Sequence, residues 1–144
     1  MILPDVNVLI SAFRPDATHY PLCRPWLERV IGRKEPFGIS TLVLSALVRI
    51  TTNPRVFVEP TRLDEAFAFC DALLGQPRCE RVEPGERHWS IFRQLCLETE
   101  TRGPRTTDAW FAALAIEHGC TFVTLDHDFA RFPGLTWRRP DIHD

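Results

Sequence analysis

The chain has 144 residues, of which 44% are hydrophobic and 25% are charged, and its net charge is −2 at pH 7. This length allows one domain with a real buried core, and the composition excludes a disordered chain or one with a membrane-spanning apolar run. The slightly acidic balance excludes nucleic-acid binding through a global positive charge, so any such binding must be local.

The first half of the sequence predicts two short strands, each followed by helical segments. ILPDV reads as a buried strand, and Pro4 must lie at its end because proline lacks the N–H that pairs with a neighbouring strand. PFGIS predicts the second strand, and the helix after it ends at Asn53-Pro54. The helical segments expected in this half are a turn in VNVLISAF and helices in THYPLCRPWLERVIGRK and TLVLSALVRITT.

The second half continues the alternation of helices and strands. TRLDEAFAFCDALLG is the clearest helix, with Thr61 as its expected cap. GERHWSIFRQLCLETE predicts a helix with Trp89 and Phe92 on its apolar face. The remaining expected elements are a helix in TTDAWFAALAIEHG, strands in RCERVE, CTFVTL and LTWR, and a loop or short helix in DHDFARF.

This alternation predicts an α/β fold with a mostly parallel sheet, and we expect residues 1–144 to form one domain. Five cysteines without a C-x-x-C pair predict reduced core thiols. The apolar N-terminus has no basic lead-in and carries Asp5, so it does not fit a signal peptide. We therefore expect a cytoplasmic protein.

Three aspartates fall where ligands bind in such a fold. Asp5 and Asp126 each follow a predicted strand, and Asp108 lies in the first turn of a predicted helix. In parallel α/β sheets, the carboxyl ends of strands and the amino ends of the following helices share one edge. We therefore expect these carboxylates to converge, although helix capping or the helix dipole also explains each one taken alone.

Three like charges at one edge repel one another unless a cation neutralises them. Oxygen ligands without a nearby cysteine or paired histidine select a hard ion, Mg²⁺ or Mn²⁺. Such an ion suits phosphodiester hydrolysis, because it activates a bound water and stabilises charge on the phosphate.

Several segments carry a family resemblance. ILPDVNVLI, TTDAWFAALAIEHGCTFVT and LDHDFARFPGL together resemble the PIN domain, and in particular the VapC toxins of bacterial toxin–antitoxin pairs. The resemblance spans nearly the whole chain and implies an α/β/α sandwich around a mostly parallel sheet of four to five strands. It also implies a Mg²⁺-dependent endoribonuclease, with Mn²⁺ as a possible substitute, that cleaves RNA, forms a homodimer and is neutralised by a VapB-type antitoxin.

Carried over by position, the resemblance assigns catalysis and metal binding to Asp5, Asp108 and Asp126. It gives supporting roles to three residues that orient or supplement these carboxylates: Asn7, Thr107 and Asp128. Separately, four arginines flank the expected edge in the sequence and are candidates for holding RNA phosphates: Arg49, Arg14, Arg55 and Arg105.

One position departs from the family pattern. PIN domains carry a glutamate on the helix after the second strand, and here that position is Ala46. One carboxylate fewer weakens a second metal site and favours a one-metal mechanism. An alternative function is therefore a PIN scaffold that binds RNA or a protein partner without efficient cleavage. A phosphatase with Asp5 as nucleophile fits the sequence poorly, because such enzymes carry a second aspartate at the position that Asn7 occupies here.

Overall fold

The computed structural model describes residues 1–144, which form five strands, six α-helices and two 3₁₀ turns. The strands are β1 Ile2–Pro4, β2 Phe37–Ile39, β3 Cys79–Arg81, β4 Thr121–Val123 and β5 Trp137–Arg138. The helices are α1 Val6–Phe13, α2 Tyr20–Gly32, α3 Thr41–Thr51, α4 Leu63–Leu74, α5 His88–Thr99 and α6 Thr106–His118. The 3₁₀ turns span Gly103–Arg105 and His127–Arg131.

All five strands are parallel and pair in the order β3-β2-β1-β4-β5. The chain builds outward from β1 through β2 to β3, and then returns to the other side of β1. Because crossover connections are right-handed, this reversal places α5 and α6 on the opposite face from the earlier helices. In agreement, α1 packs against α2 and α3, whereas α5 packs against α6. The predicted α/β/α sandwich around a mostly parallel sheet of four to five strands is confirmed, and the sheet has five strands, all parallel.

The sheet is short, and burial on both faces holds it together. β1 and β2 are buried along their whole length, as expected for parallel strands that helices cover on both sides. The largest fully buried side chains are Trp26, Phe37, Phe122 and Phe129. Pro4 is the last residue of β1, as predicted, and the next N–H, that of Asp5, donates to the carbonyl of Val123 at 2.8 Å.

Two details of the predicted elements are wrong. Thr61 does not cap α4, which begins at Leu63; its hydroxyl instead accepts a hydrogen bond from Nη1 of Arg14 at 3.0 Å. Trp89 does not lie on the buried face of α5 but is 69% exposed. The adjacent His88 is buried in its place, and its Nε2 donates to the carbonyl of Trp110 at 3.0 Å.

None of the six α-helices combines the length and hydrophobicity that crossing a bilayer requires. The five cysteines are free thiols, as predicted. Burial raises the pKa of the Cys23 thiol to about 11, which keeps it protonated and unreactive at neutral pH.

Candidate active site

Asp5 occupies the point where the strand order reverses, between β1 and β4. It is the only residue between β1 and α1, and it serves as the N-cap of α1: its Oδ1 accepts from the N–H of Val6 at 2.7 Å. The residue is only 5% exposed. In parallel α/β sheets, ligands bind at the strand ends where the strand order reverses, and Asp5 lies at that point.

Asp126 and Asp108 approach the same edge from β4 and α6. Asp126 is half-buried and caps the second 3₁₀ turn, because its Oδ1 accepts from the N–H of Asp128 at 2.9 Å. Asp108 lies in the first turn of α6, where the helix dipole favours a negative charge. Its Oδ2 accepts from Nη2 of Arg131 at 3.4 Å. Asp126 therefore caps a helical turn, as one explanation of this residue expected, and also lies at the edge of the sheet.

The fully buried hydroxyl of Thr124 connects the two strand ends. It donates to Oδ2 of Asp5 at 2.8 Å, and it accepts from Nδ2 of Asn7 and from the N–H of Asp126, both at 3.1 Å. Oδ1 of Asn7 accepts in turn from the N–H of Leu125 at 3.1 Å. A threonine hydroxyl has one donor and two acceptor sites, so that of Thr124 is saturated. Asn7 thus acts on the carboxylates through Thr124.

The two other residues expected to support the carboxylates lie further out. Thr107 is exposed on α6 and forms no hydrogen bond with the three aspartates, while the hydroxyl of its neighbour Thr106 donates to the carbonyl of Gly103 at 2.8 Å. Asp128 is exposed, and its Oδ2 accepts from Nη2 of Arg105 at 3.2 Å.

Arg14 forms its hydrogen bonds with residues other than the three candidate aspartates. The residue is 8% exposed, and its guanidinium donates twice to Asp16, once to Oγ1 of Thr61 and once to the carbonyl of Glu59. It also stacks 3.8 Å above the ring of Phe57. The hydrogen bond from Arg14 to Asp16 contributes most to raising the pKa of the guanidinium above its ordinary value. With its donors so occupied, Arg14 anchors the segment before α4.

Arg49 and Ala46 both lie on α3. Arg49 is exposed and borders a groove of about 460 Å³ between α3 and α4. Ala46 is half-buried and brings no carboxylate to this helix. Five of its nine lining residues are apolar: Leu44, Val48, Phe67, Cys70 and Leu74.

The aspartates influence one another electrostatically. Burial, together with the smaller effect of the charges of Asp108 and Asp126, raises the pKa of Asp5 to about 6 against the opposing hydrogen bonds from Thr124 and Val6. Burial likewise raises the pKa of Asp108, although Arg131 opposes the shift. A raised pKa in a carboxylate beside other carboxylates marks a place where a cation would be favourable.

The three aspartates have the ligand chemistry that a hard divalent cation prefers, but their side chains do not converge into a complete site. Asp5, Asp108 and Asp126 offer oxygen ligands only, which Mg²⁺ and Mn²⁺ prefer. As they stand, no three acidic, histidine or cysteine side chains converge closely enough to form a complete metal-binding cluster. Nη2 of Arg131 lies 3.4 Å from Oδ2 of Asp108, so a cation bound at Asp108 would compete with the guanidinium.

Sequence reasoning missed two residues of this site, Thr124 and Arg131. A threonine at the end of a strand is ordinary, because β-branched residues favour strands. Only the pairing of β1 with β4 shows that the Thr124 hydroxyl faces Asp5. Arg131 lies five residues beyond Asp126, and the 3₁₀ turn folds it back toward Asp108 on α6.

Known proteins are similar in sequence over nearly the whole chain. The family model of the PIN domain matches residues 2–135. The protein named Ribonuclease VapC43 from Mycobacterium tuberculosis is 44% identical over 140 residues, which cover 97% of this chain and 95% of the relative. Ribonuclease VapC25 from the same organism is 42% identical over 142 residues, covering 99% of this chain and 100% of the relative.

The fold also has solved counterparts. VapBC2 from Rickettsia felis, crystallised with a DNA fragment of its promoter, contains a chain that superposes with a TM-score of 0.73. The superposition covers 98% of this chain and 100% of that one, at 22% sequence identity. At this identity the likeness establishes the shared α/β/α architecture.

Proposed function

Because the chain belongs to the PIN domain family, we propose that it is a Mg²⁺-dependent endoribonuclease toxin of the VapC type, which hydrolyses RNA phosphodiester bonds. Residues 1–144 act in this proposal as one PIN-like domain in the cytoplasm. The observation that supports it most is the Thr124 hydroxyl, which ties Asp5 to the Asp126 backbone at the reversal of strand order. The relatives named VapC ribonucleases support the choice of RNA.

Within this proposal, Asp5, Asp108 and Asp126 hold the metal ion. A bound Mg²⁺ supplies a water of lowered pKa and stabilises negative charge on the scissile phosphate. Asp5 is the most rigidly held of these ligands, because the Val6 N–H and the Thr124 hydroxyl each fix one of its oxygens. Asp108 and Asp126 are half-buried and stand on the side from which substrate can approach.

A cleavage assay tests the proposal. The natural chain with Mg²⁺ or Mn²⁺ is expected to cut single-stranded RNA and leave 5′-phosphate ends, and EDTA is expected to stop cleavage. Asp5→Asn should lower the rate by at least about a hundredfold, because it weakens the metal site. Asp64→Asn is the matched control, since Asp64 is an exposed, ion-paired aspartate on α4. Cleavage that survives both EDTA and Asp5→Asn would refute a metal-dependent nuclease.

A scaffold that binds RNA or a protein without efficient cleavage is the second candidate, and the lack of a carboxylate at Ala46 on α3 favours it. In that case the natural chain binds RNA but leaves it uncut with Mg²⁺, and Ala46→Glu gains cleavage. If the natural chain cleaves and Ala46→Glu changes the rate little, three aspartates are sufficient.

We also propose regulation by a VapB-type antitoxin and assembly into a homodimer, as the VapC resemblance implies. Expression of the natural chain alone is expected to arrest growth, and Asp5→Asn should relieve the arrest. A short reading frame beside this gene, when co-expressed, should relieve it through a stable complex. Light scattering of the free chain tests the dimer. Unimpaired growth during expression of folded natural chain would contradict the toxin role.

A further inference from the structure

The loop that carries Asp126 is bordered by arginines. The segments 102–108 and 125–139 together contain five arginines and three aspartates, so this part of the molecule is positive although the whole chain carries −2. Three of these arginines contact the loop itself: Arg105, Arg131 and Arg139. The local positive charge that nucleic-acid binding would require is therefore present at this edge.

Arg131 is the arginine nearest to the proposed metal ligands. Its Nη1 donates to the carbonyl of Asp128 at 2.8 Å, and its guanidinium stacks 4.3 Å from the ring centre of Phe132. These two contacts hold the guanidinium at the rim independently of Asp108. The bond from Nη2 to Oδ2 of Asp108 is longer, at 3.4 Å, than the bond to the carbonyl of Asp128.

Arg131 keeps donors free for a ligand. A guanidinium has five N–H donors, and two hydrogen bonds are formed here. Its side chain is 23% exposed, compared with 9% for Arg14, which has four hydrogen bonds. The side chain of Arg105 is 63% exposed, and its guanidinium forms one hydrogen bond, to Asp128. Planar guanidinium groups match the oxygens of a phosphate.

We propose that Arg131, assisted by Arg105, binds a backbone phosphate of the RNA next to the three aspartates. This inference rests on the proposed ribonuclease function and names residues that hold its substrate. Arg131 holds substrate while Asp5, Asp108 and Asp126 hold the metal ion. The RNA backbone accordingly runs along the side of the site formed by α6 and the second 3₁₀ turn.

Binding of a fluorescent single-stranded RNA in EDTA, where metal-dependent cleavage is stopped, is the first test. Arg131→Gln should weaken affinity about tenfold, as expected for a lost charge-assisted hydrogen bond. The slope of log affinity against log salt should fall by about 0.7, the value for one phosphate contact on a single strand. Arg131→Lys should retain the slope, because it keeps the charge.

Arg24→Gln is the matched control. Arg24 also pairs with one carboxylate, that of Glu28, and with one backbone carbonyl, that of Ala12, but it lies on α2. RNA affinity and salt slope should not change in this variant. Thermal melting of each variant confirms that it is folded.

Calorimetry with Mn²⁺ distinguishes two roles for Arg131: binding of the RNA phosphate, or only positioning of Asp108. If Arg131 binds phosphate, Arg131→Gln leaves Mn²⁺ affinity equal or higher, because a competing cation is removed from Asp108, while kcat/KM on RNA falls about tenfold. Weaker Mn²⁺ binding with an unchanged salt slope would overturn the inference. If the natural chain cleaves RNA and Arg131→Gln does so equally well, only this inference fails. If the natural chain does not cleave, the proposed function fails.

Discussion

The hydroxyl of Thr124 donates a hydrogen bond to Oδ2 of Asp5 at 2.8 Å, across 119 positions of sequence. The hydroxyl oxygen of Thr124 also accepts hydrogen bonds from Asn7 and from the Asp126 backbone, so one buried atom sets the relative positions of two strand ends. The site is therefore assembled by the pairing of β1 with β4, and it forms only when the sheet forms.

Removing this hydroxyl should uncouple the aspartates. Thr124→Val keeps the shape but leaves Asn7 and the Asp126 N–H without their buried acceptor, which is expected to cost about 1–3 kcal/mol of stability. RNA cleavage and Mn²⁺ affinity should fall together. Thr124→Ser keeps the hydroxyl and should retain most activity. Urea unfolding, calorimetry and cleavage rates provide the measurements, and equal activity of the two variants would contradict the role of the hydroxyl.

Ionisation of Asp5 should destabilise the metal-free protein. The pKa is about 6 in the fold against an ordinary value of 3.8, so the folded chain binds this proton more tightly than the unfolded chain. Its contribution to stability is complete below the ordinary pKa and is lost as pH rises through 6. In EDTA, the natural chain should lose about 2 kcal/mol relative to Asp5→Asn between pH 4.5 and 7.5.

Unfolding curves of both chains at several pH values measure this difference. Adding Mg²⁺ at neutral pH should raise the melting temperature of the natural chain and have little effect on Asp5→Asn, because ligands that bind only the folded state stabilise it. Parallel pH profiles for the two chains would show that Asp5 does not titrate as expected.

Arg14 should contribute to stability and not to RNA binding. Replacing it with glutamine removes the donors to Asp16, Thr61 and Glu59, and we expect a loss of about 2 kcal/mol. Arg14→Lys should recover little, since an ammonium cannot reproduce the forked geometry. Hydrogen exchange should show faster opening of residues 53–62. Unchanged stability with weaker RNA binding would instead support the sequence-based assignment of Arg14 to substrate.

Glu117 should stabilise the connection between α6 and the segment before α5. Its carboxylate accepts from the N–H groups of Gly85 and Arg87 at 2.7 and 2.9 Å. A Cβ at position 85 would lie 2.7 Å from Oε2 of Glu117, so a larger residue there would displace the carboxylate from its present position. Burial acts to raise the pKa of Glu117, but these bonds and the nearby His118 and His88 outweigh it and leave the pKa below its ordinary value.

Glu117→Gln should therefore destabilise the protein by about 1–2 kcal/mol at neutral pH, because an amide cannot accept at both oxygens. A carboxylate with a lowered pKa stabilises the fold above its ordinary pKa and loses that contribution as pH falls through the folded value. The difference between the two chains should therefore shrink as the pH falls below the ordinary pKa of a glutamate. Denaturant titrations at pH 7 and pH 3 test this, with the exposed Glu28→Gln as control.

How much could be predicted from the sequence depended on whether the signal was local. Pro4 and Asp5 mark the end of a strand by their own chemistry, so both were placed correctly at the end of β1. The apolar face of α5 was misplaced because His88 and Trp89 are adjacent, and only packing against Trp110 selects the histidine for burial. The role of Arg131 depends on a contact with another helix, which no local pattern encodes.

The connection between β1 and α1 is a single residue, Asp5. A strand fixes the backbone before this aspartate and a helix fixes the backbone after it. Asp5 therefore has little freedom to move with a bound ligand. Within the proposed mechanism, any adjustment around a bound ion therefore falls to Asp108 and Asp126, which are half-buried. We expect the position of Asp5 to differ least between the metal-free and the metal-bound protein.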